Sequence, residues 1–271
     1  MARDKNKKEE QKEDRAEEES RETRDENMRS ANALPLGFDP GKLDPIVNGV
    51  ITTDFEDCCA VGDNTRYFCS GTLIAPNLVI TAAHCTGATQ VFLKGNDVRK
   101  PNEGETRIVR KQFAHDTADI RVLVLKKKSS VTHRKVSNGN VTNDDHIRLV
   151  GFGNVDLNGS FGFGIKRMAE GVPITSADCS RPNDAQQLGC EPGTEIVAGT
   201  RGLNTDTCTG DSGGPLYVEG ADGRYYLLGA TSRATAGSVN TCGDGGIYTR
   251  VDKFVDWIKE KTGITLDREP S

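Results

Sequence analysis

The sequence has 271 residues, a formal net charge of -5 at pH 7, 35% hydrophobic residues and 30 glycines. Such a chain can hold one large all-β domain or two small domains, and it has no apolar run long enough to span a bilayer. Because there is no basic excess, neither nucleic acid nor a membrane surface is predicted as a partner.

The first segment of the chain, residues 1–45, is predicted to be a disordered or transiently helical leader that acts as a pro-segment. Residues 1–30 are mostly Lys, Arg, Glu and Asp. A tract so charged cannot bury enough apolar surface to offset the entropy of ordering it. The tract also lacks the apolar core of a signal peptide, so either a signal was removed or export is arranged differently.

After Ile46, short apolar runs separated by Gly, Asn and Asp indicate antiparallel β-structure. The predicted strands are 70–75, 78–81, 90–93, 106–109, 120–125, 147–151, 195–198, 225–231 and 246–250. One helix is predicted, over Val251–Lys261, because its apolar residues recur at spacings of three and four and Gly263 follows.

The eight cysteines form no CxxC pair, which favours disulfides over a zinc site. Disulfides persist only in oxidising compartments. We therefore expect a secreted protein, or one held in another oxidising compartment outside the cytosol.

The stretch Gly210-Asp211-Ser212-Gly213-Gly214-Pro215 is the most informative motif. A serine between glycines can lie on a sharp turn with its hydroxyl exposed, while the amides of Gly210 and Ser212 point at one spot. That spot could hold an oxyanion, so Ser212 is the candidate nucleophile.

A serine hydroxyl needs a base within hydrogen-bond reach, and the base needs a third group to orient it. His84 is the candidate base because small residues and Cys85 surround it after an apolar run. Asp119, directly before another apolar run, is the candidate orienting carboxylate, and Asp116 is the alternative. The other three histidines lie among polar residues and are expected at the surface.

Four motifs in this order resemble those of the trypsin and chymotrypsin family. They are Ile46-Val47-Asn48-Gly49, Thr81-Ala82-Ala83-His84-Cys85, Asp119-Ile120 and the Ser212 motif. The resemblance runs from Ile46 to about Gly263. It implies an all-β fold of two six-stranded antiparallel β-barrels with a C-terminal helix, divided as residues 46–134 and 135–271. It also implies a serine endopeptidase that works through an acyl-enzyme intermediate and needs no cofactor or metal.

The resemblance further implies a zymogen. A cut before Ile46 would free an α-amino group that pairs with Asp211 and shapes the oxyanion hole. Relatives carry Arg or Lys before the cut, whereas this chain has Pro45. We therefore expect inefficient self-activation and a separate activating protease as a partner.

The resemblance also implies a substrate specificity, through the residues that match positions of the family's substrate pocket. Asp206 takes the place of the carboxylate at the pocket floor, which predicts cleavage after Arg or Lys. Gly246 matches a small wall residue, and Ser232 matches the residue whose backbone pairs with the bound peptide. Two neighbours depart from the family pattern, because Arg233 stands where relatives have Trp and Ala234 where they have Gly. The Ala234 methyl is expected to narrow the pocket mouth, and the Arg233 guanidinium is expected to oppose a basic substrate.

The resemblance implies three disulfides. They are Cys69–Cys85, Cys208–Cys242 and Cys179–Cys190. Cys58 and Cys59 have no counterpart, and we expect them to form a strained vicinal bridge or to remain reactive.

Two other function classes compete with an active protease. The first is a catalytically silent binding or regulatory protein on the same fold, and the second is a disulfide-rich lectin-like module. Polypeptide substrates and protein protease inhibitors are the further partners expected of a protease. The acids Asp97, Glu103 and Glu105 are interpreted as surface groups and not as calcium ligands.

Overall fold

The computed structural model describes residues 49–159 and 162–270, so the leader and Ile46 lie outside the described residues. β-Strands are the main regular structure of the described chain. Its strands are β1 Val50–Ile51, β2 Cys58–Gly62, β3 Tyr67–Ala75, β4 Leu78–Thr81, β5 Gln90–Leu93, β6 Glu105–Ala114, β7 Arg121–Leu125, β8 His146–Gly151, β9 Arg167–Ser176, β10 Glu195–Ala198, β11 Pro215–Glu219, β12 Tyr225–Ala234 and β13 Gly246–Arg250. Its α-helices are α1 Asp184–Leu188 and α2 Val255–Thr262, and its short 3-10 helices are Pro101–Glu103 and Val251–Lys253.

The strands form two closed six-stranded barrels with antiparallel neighbours throughout. The first has the order β2-β3-β4-β7-β6-β5, and β5 pairs back to β2. The second has the order β8-β9-β10-β13-β12-β11, and β11 pairs back to β8. The predicted all-β fold of two barrels with a C-terminal helix is therefore confirmed.

Two features of the chain concern the predicted division into domains: the pairing of β1 and the link between the barrels. β1 precedes the first barrel in sequence but pairs with β9 of the second. The predicted boundary between 134 and 135 falls in the segment that links β7 to β8, and it stays a prediction. Neither described α-helix has the length or the apolar run that crossing a bilayer requires.

Several strands have apolar residues at consecutive positions, because alternate side chains enter two different hydrophobic cores. In β4, Val79 lies in the core of the first barrel, and Ile80 lies in the cluster shared between the barrels. In β7, Leu123 lies in the core of the first barrel and Val122 lies in the shared cluster. Successive side chains point to opposite faces, and both faces of these strands are buried, so both must be apolar.

Three strands of the barrels were not predicted from the sequence: β2, β9 and β11. β9 contains Gly171 and Pro173, and β11 begins with Pro215. Gly and Pro are unusual inside strands. Pro is tolerated at the first position of a strand, and both residues are tolerated where the pairing is irregular. The predicted helix starts late, because Val251–Lys253 is a 3-10 turn and α2 runs from Val255.

Cys58 and Cys59 are both free thiols, so the expected vicinal bridge is wrong. As neighbours in a strand they point to opposite faces, Cys58 towards the second barrel and Cys59 into the first. Both are fully buried, and burial raises the pKa of each thiol. A buried thiol that rarely ionises is a poor nucleophile, so neither cysteine is a reactive group in the folded protein.

Candidate active site

His84 and Asp119 meet where two paired strands of the first barrel end. β4 and β7 are antiparallel, with Thr81 opposite Arg121, so the residues just after β4 and just before β7 lie side by side. His84 Nδ1 is 2.8 Å from Asp119 Oδ2, and the His84 amide donates to Asp119 Oδ1 at 3.1 Å. The structure thus pairs Asp119 with His84, whereas Asp116 is exposed and makes no hydrogen bond to His84.

The Asp119 carboxylate is held in its charged form. Its burial would raise its pKa, but hydrogen bonds from His84 and from the Ser232 hydroxyl outweigh that effect and lower it. The Ser232 Oγ donates to Asp119 Oδ2 at 2.7 Å. Thr249 Oγ1 donates to the Asp119 backbone oxygen at 3.1 Å. Asp119 is therefore anchored from both barrels.

Backbone support for the His84 turn comes from a residue that the sequence did not single out. Arg121 donates to the Ala83 carbonyl through Nη2 at 2.7 Å and through Nε at 3.2 Å. The Cys69–Cys85 disulfide closes the same turn on its other side. His84 itself stays open, with 48% of its side chain exposed.

Ser212 lies on a turn that the flanking glycines allow. Gly210 and Gly213 have φ of +94° and +78°, a region that residues with a Cβ rarely adopt. A Cβ on Gly210 would also lie 2.4 Å from the Phe163 ring. Within the described chain, neither the Gly210 amide nor the Ser212 amide donates a hydrogen bond. Both are therefore free to bind an anion.

The Ser212 turn packs directly against the first barrel. The Ser70 amide donates to the Ser212 carbonyl at 2.9 Å, and Cys85 Sγ lies 3.6 Å from the same oxygen. The residue after His84 therefore touches the residue predicted to be the nucleophile. Among the described residues no hydrogen bond joins Ser212 Oγ to His84; such bonds are often long in substrate-free sites and shorten when substrate binds.

Asp211 is fully buried behind Ser212. Its carboxylate accepts the Gly153 amide at 2.8 Å and the Cys208 amide at 2.9 Å. Burial nevertheless raises the pKa of this carboxyl to about 6. No cation lies within ion-pair distance of it in the described part of the chain. Ile46, its predicted partner, is outside the described residues.

A second buried carboxylate, Asp206, lies in the segment between β10 and Ser212. Its Oδ1 accepts hydrogen bonds from Tyr248 Oη at 2.8 Å and from the Thr207 amide at 2.7 Å. Burial raises the pKa of Asp206 to about 7. A Cβ on Gly246 would lie 3.0 Å from Asp206 Oδ1, so a larger residue there would crowd this carboxylate. Ala234 pairs with Gly246 across β12 and β13.

Disulfides tie the walls of this region together. The structure joins Cys69 to Cys85, Cys179 to Cys190 and Cys208 to Cys242, the same three pairs that the resemblance implies. The third bridge lies next to Asp206 in sequence and links the Ser212 segment to the segment before Gly246. These two segments are therefore joined covalently.

The Arg233 guanidinium forms an ion pair. Its Nη1 and Nη2 lie 2.7 and 2.8 Å from the two carboxylate oxygens of Glu195. Its charge is thus balanced at short range, so the expected opposition to a basic substrate is weakened.

Metal binding has little support in this region. Cys69, His84 and Cys85 offer ligand-type atoms within 4.8 Å of one another, but both sulfurs belong to a disulfide and are not thiolates. The acids considered for calcium have cationic neighbours: Asp97 pairs with Arg99, Glu103 with Lys100 and Glu105 with Arg107.

Comparison with known proteins covers both barrels. Residues 47–258 match the family model described as Trypsin. The chain is similar to Trypsin of Saccharopolyspora erythraea, at 30% identity over 72% of this chain and 87% of the relative. It is similar to Brachyurin of Leptuca pugilator, at 31% identity over 81% and 100%. It is similar to Chymotrypsin-C of Bos taurus, at 30% identity over 73% and 80%.

Proposed function

The chain belongs to the trypsin family of serine endopeptidases, and we propose on that premise that it cleaves polypeptides after Arg or Lys. In this proposal Ser212 is the nucleophile, His84 the general base and Asp119 the group that orients His84. The hypothesis of a lectin-like module is rejected, because the matched family is one of peptidases.

The proposed reaction gives each of these groups one role. Ser212 Oγ bonds to the carbonyl carbon of the substrate and passes its proton to His84 Nε2, while Asp119 stabilises the imidazolium. The oxyanion binds the free amides of Gly210 and Ser212. The C–N bond then breaks as His84 returns the proton to the leaving amine. Water repeats the sequence on the acyl-enzyme and releases Ser212.

The preference for Arg and Lys rests on the Asp206 carboxylate. It is 3% exposed, its Oδ1 is hydrogen-bonded, and its Oδ2 has no partner among the described residues. A buried carboxylate without a cation is costly, and a substrate guanidinium or ammonium supplies that cation. The names of the relatives include both a trypsin and a chymotrypsin, so the specificity is argued from Asp206 alone.

A peptide library tests this specificity directly. The protein is prepared with Ile46 as its N-terminus, and the cleaved bonds are identified by mass spectrometry. We expect Arg or Lys on the acyl side of nearly every cut. Cuts that mainly follow aromatic or aliphatic residues would contradict the specificity and leave the serine mechanism intact.

We also propose that the protein is made as a zymogen, because Asp211 is a buried carboxylate that forms no ion pair among the described residues and has only the longer-range charge of Arg167 to lower its pKa. A cut before Ile46 by another protease would supply an α-ammonium group for it. A carboxyl whose pKa is raised on folding favours folding most below its unfolded-state pKa of about 4. That contribution is lost as the pH rises through about 6.

Asp211→Asn therefore has opposite expected effects in the two forms. The uncut variant should be more stable than the wild type at pH 7.5, with little difference at pH 4, measured by urea unfolding. The variant cut before Ile46 should not gain activity, because the amide cannot pair with the ammonium group. A cut variant as active as the cut wild type would contradict the proposed activation.

Location and partners complete the proposal. The three disulfides fit an oxidising compartment, and we propose secretion. Polypeptide substrates, an activating protease and protein protease inhibitors are the partners proposed for such an enzyme.

A further inference from the structure

A chain of hydrogen bonds leads from Asp119 into the second barrel. Ser232 Oγ donates to Asp119 Oδ2 at 2.7 Å, and Arg233 Nη1 donates to Ser232 Oγ at 3.2 Å. A guanidinium can only donate, and a serine hydroxyl has one hydrogen. The bond from Arg233 therefore requires Ser232 to accept there, which leaves its hydrogen for Asp119.

Glu195 of β10 fixes the position of this guanidinium. It accepts Nη1 and Nη2 of Arg233 in a bidentate pair and is itself 5% exposed. Glu195 Oε2 also accepts the Glu191 amide at 2.8 Å, and Arg233 Nη2 donates to the Gly189 carbonyl at 2.8 Å. A planar fork bound at both nitrogens has little freedom to rotate away from Ser232.

The backbone of β12 places both residues for this role. Its pairing with β13 shifts register between Thr231 and Arg233, so Ser232 is an extra residue at an irregularity. A bulge of this kind re-aims a side chain. Here it lets Ser232 reach Asp119 in the first barrel while Arg233 reaches Glu195.

We propose that Arg233, held by Glu195, is a positioning residue that fixes the Ser232 hydroxyl on Asp119 and sets the pH below which the enzyme loses activity. This inference rests on the proposed roles of His84, Asp119 and Ser212. It assigns no contact between Arg233 and the reacting atoms.

Several charged groups face the His84 and Asp119 pair. Arg121 of β7 and Arg233 of β12 both interact electrostatically with Asp119. Glu195 and Glu191 lie on the far side of Arg233 and balance its charge. Positive charge near Asp119 opposes protonation of His84, and negative charge favours it.

The two partners of the ion pair should therefore shift the acid limb of the kcat profile in opposite directions. This profile is measured at saturating substrate, so titration of Asp206 in the free enzyme does not contribute to it. Arg233→Gln leaves Glu195 uncompensated, so the limb should move to higher pH. Glu195→Gln leaves Arg233 uncompensated, so the limb should move to lower pH. For charges separated by two or three hydrogen bonds near the protein surface, we expect about half a pH unit in each case.

The experiment uses the protein with Ile46 as N-terminus and an arginine peptide substrate. The profiles of Arg233→Gln, Glu195→Gln and the double variant are compared with wild type. The double variant should return close to the wild-type midpoint but with a lower kcat, and Arg233→Lys should keep the midpoint while losing part of kcat. Arg181→Gln is the matched control, because it breaks a similar two-point pair with Asp184 that does not contact Ser232, and its midpoint should not move.

A second readout separates this inference from the proposed function. In a Ser212→Ala background the His84 ring is titrated by NMR, which needs no turnover, and the same opposite shifts are expected. Shifts of one sign, or no shift beyond that of Arg181→Gln, would overturn the inference. If Glu195→Gln does not fold, the double variant decides: a midpoint displaced as far as that of Arg233→Gln would overturn it.

Discussion

Ser212→Ala is expected to lower kcat for peptide cleavage about a millionfold, the loss typical when a serine nucleophile is removed. The physical reason is that no other group at the site can form the acyl bond. The rate is measured with an arginine peptide on protein that begins at Ile46. His84→Ala should lose a similar factor, and the double variant little more, because the two residues act as one unit.

Labelling by a fluorophosphonate probe gives an independent check. The probe should modify wild-type protein at Ser212 and should not modify Ser212→Ala. Ser180→Ala is a suitable control, since Ser180 is an exposed serine on the Cys179–Cys190 loop, and it should be labelled like wild type. Undiminished cleavage by Ser212→Ala would refute the proposed nucleophile. An unlabelled wild-type protein that begins at Ile46 would instead support the silent binding protein considered from the sequence.

Asp206→Ser is expected to reduce kcat/KM for arginine and lysine substrates by a factor of about a thousand or more. A substrate cation that enters the variant pocket loses its solvation without gaining a carboxylate partner. The measurement is kcat/KM for matched peptides with arginine or leucine on the acyl side. Fluorophosphonate labelling of Ser212 should stay near the wild-type rate, because the pocket and the reacting groups are separate.

The Asp206 carboxyl also predicts a pH dependence of binding. Its pKa in the empty pocket is raised to about 7 by burial, so it becomes neutral as the pH falls below that value. KM for arginine substrates should therefore rise below pH 7 in wild type, and this rise should be absent in Asp206→Ser. A variant that keeps both its preference for arginine and this rise would show that another group recognises the substrate.

Local sequence patterns were sufficient for much of the fold. β4, β5 and β10 have the predicted bounds, and β13 does too, because each is a compact apolar run between turn residues. β9 was not predicted. Its ten residues include Gly171 and Pro173, and pairing with β1, β8 and β10 stabilises them as a strand.

Motifs predicted His84, Asp119 and Ser212 as the catalytic residues, because the chemistry of each depends on neighbours in the chain, such as the glycines that let the Ser212 turn form. The structure added the choice of Asp119 over Asp116, which depends on the pairing of Thr81 with Arg121. It also added the support of Ser232 by Arg233 and Glu195. No local pattern could show this, because Glu195 and Arg233 lie on strands separated by β13.

By itself, then, the sequence determined the all-β class, the positions of the candidate nucleophile and base, and the carboxylate expected in the pocket. Each of these depends on residue type and short spacing. Only the tertiary structure decided which distant groups meet. It also decided that Cys58 and Cys59 are buried on opposite faces of their strand, and that the charge of Arg233 is balanced by Glu195. Those outcomes depend on strand register and barrel closure, which bring together residues far apart in the chain.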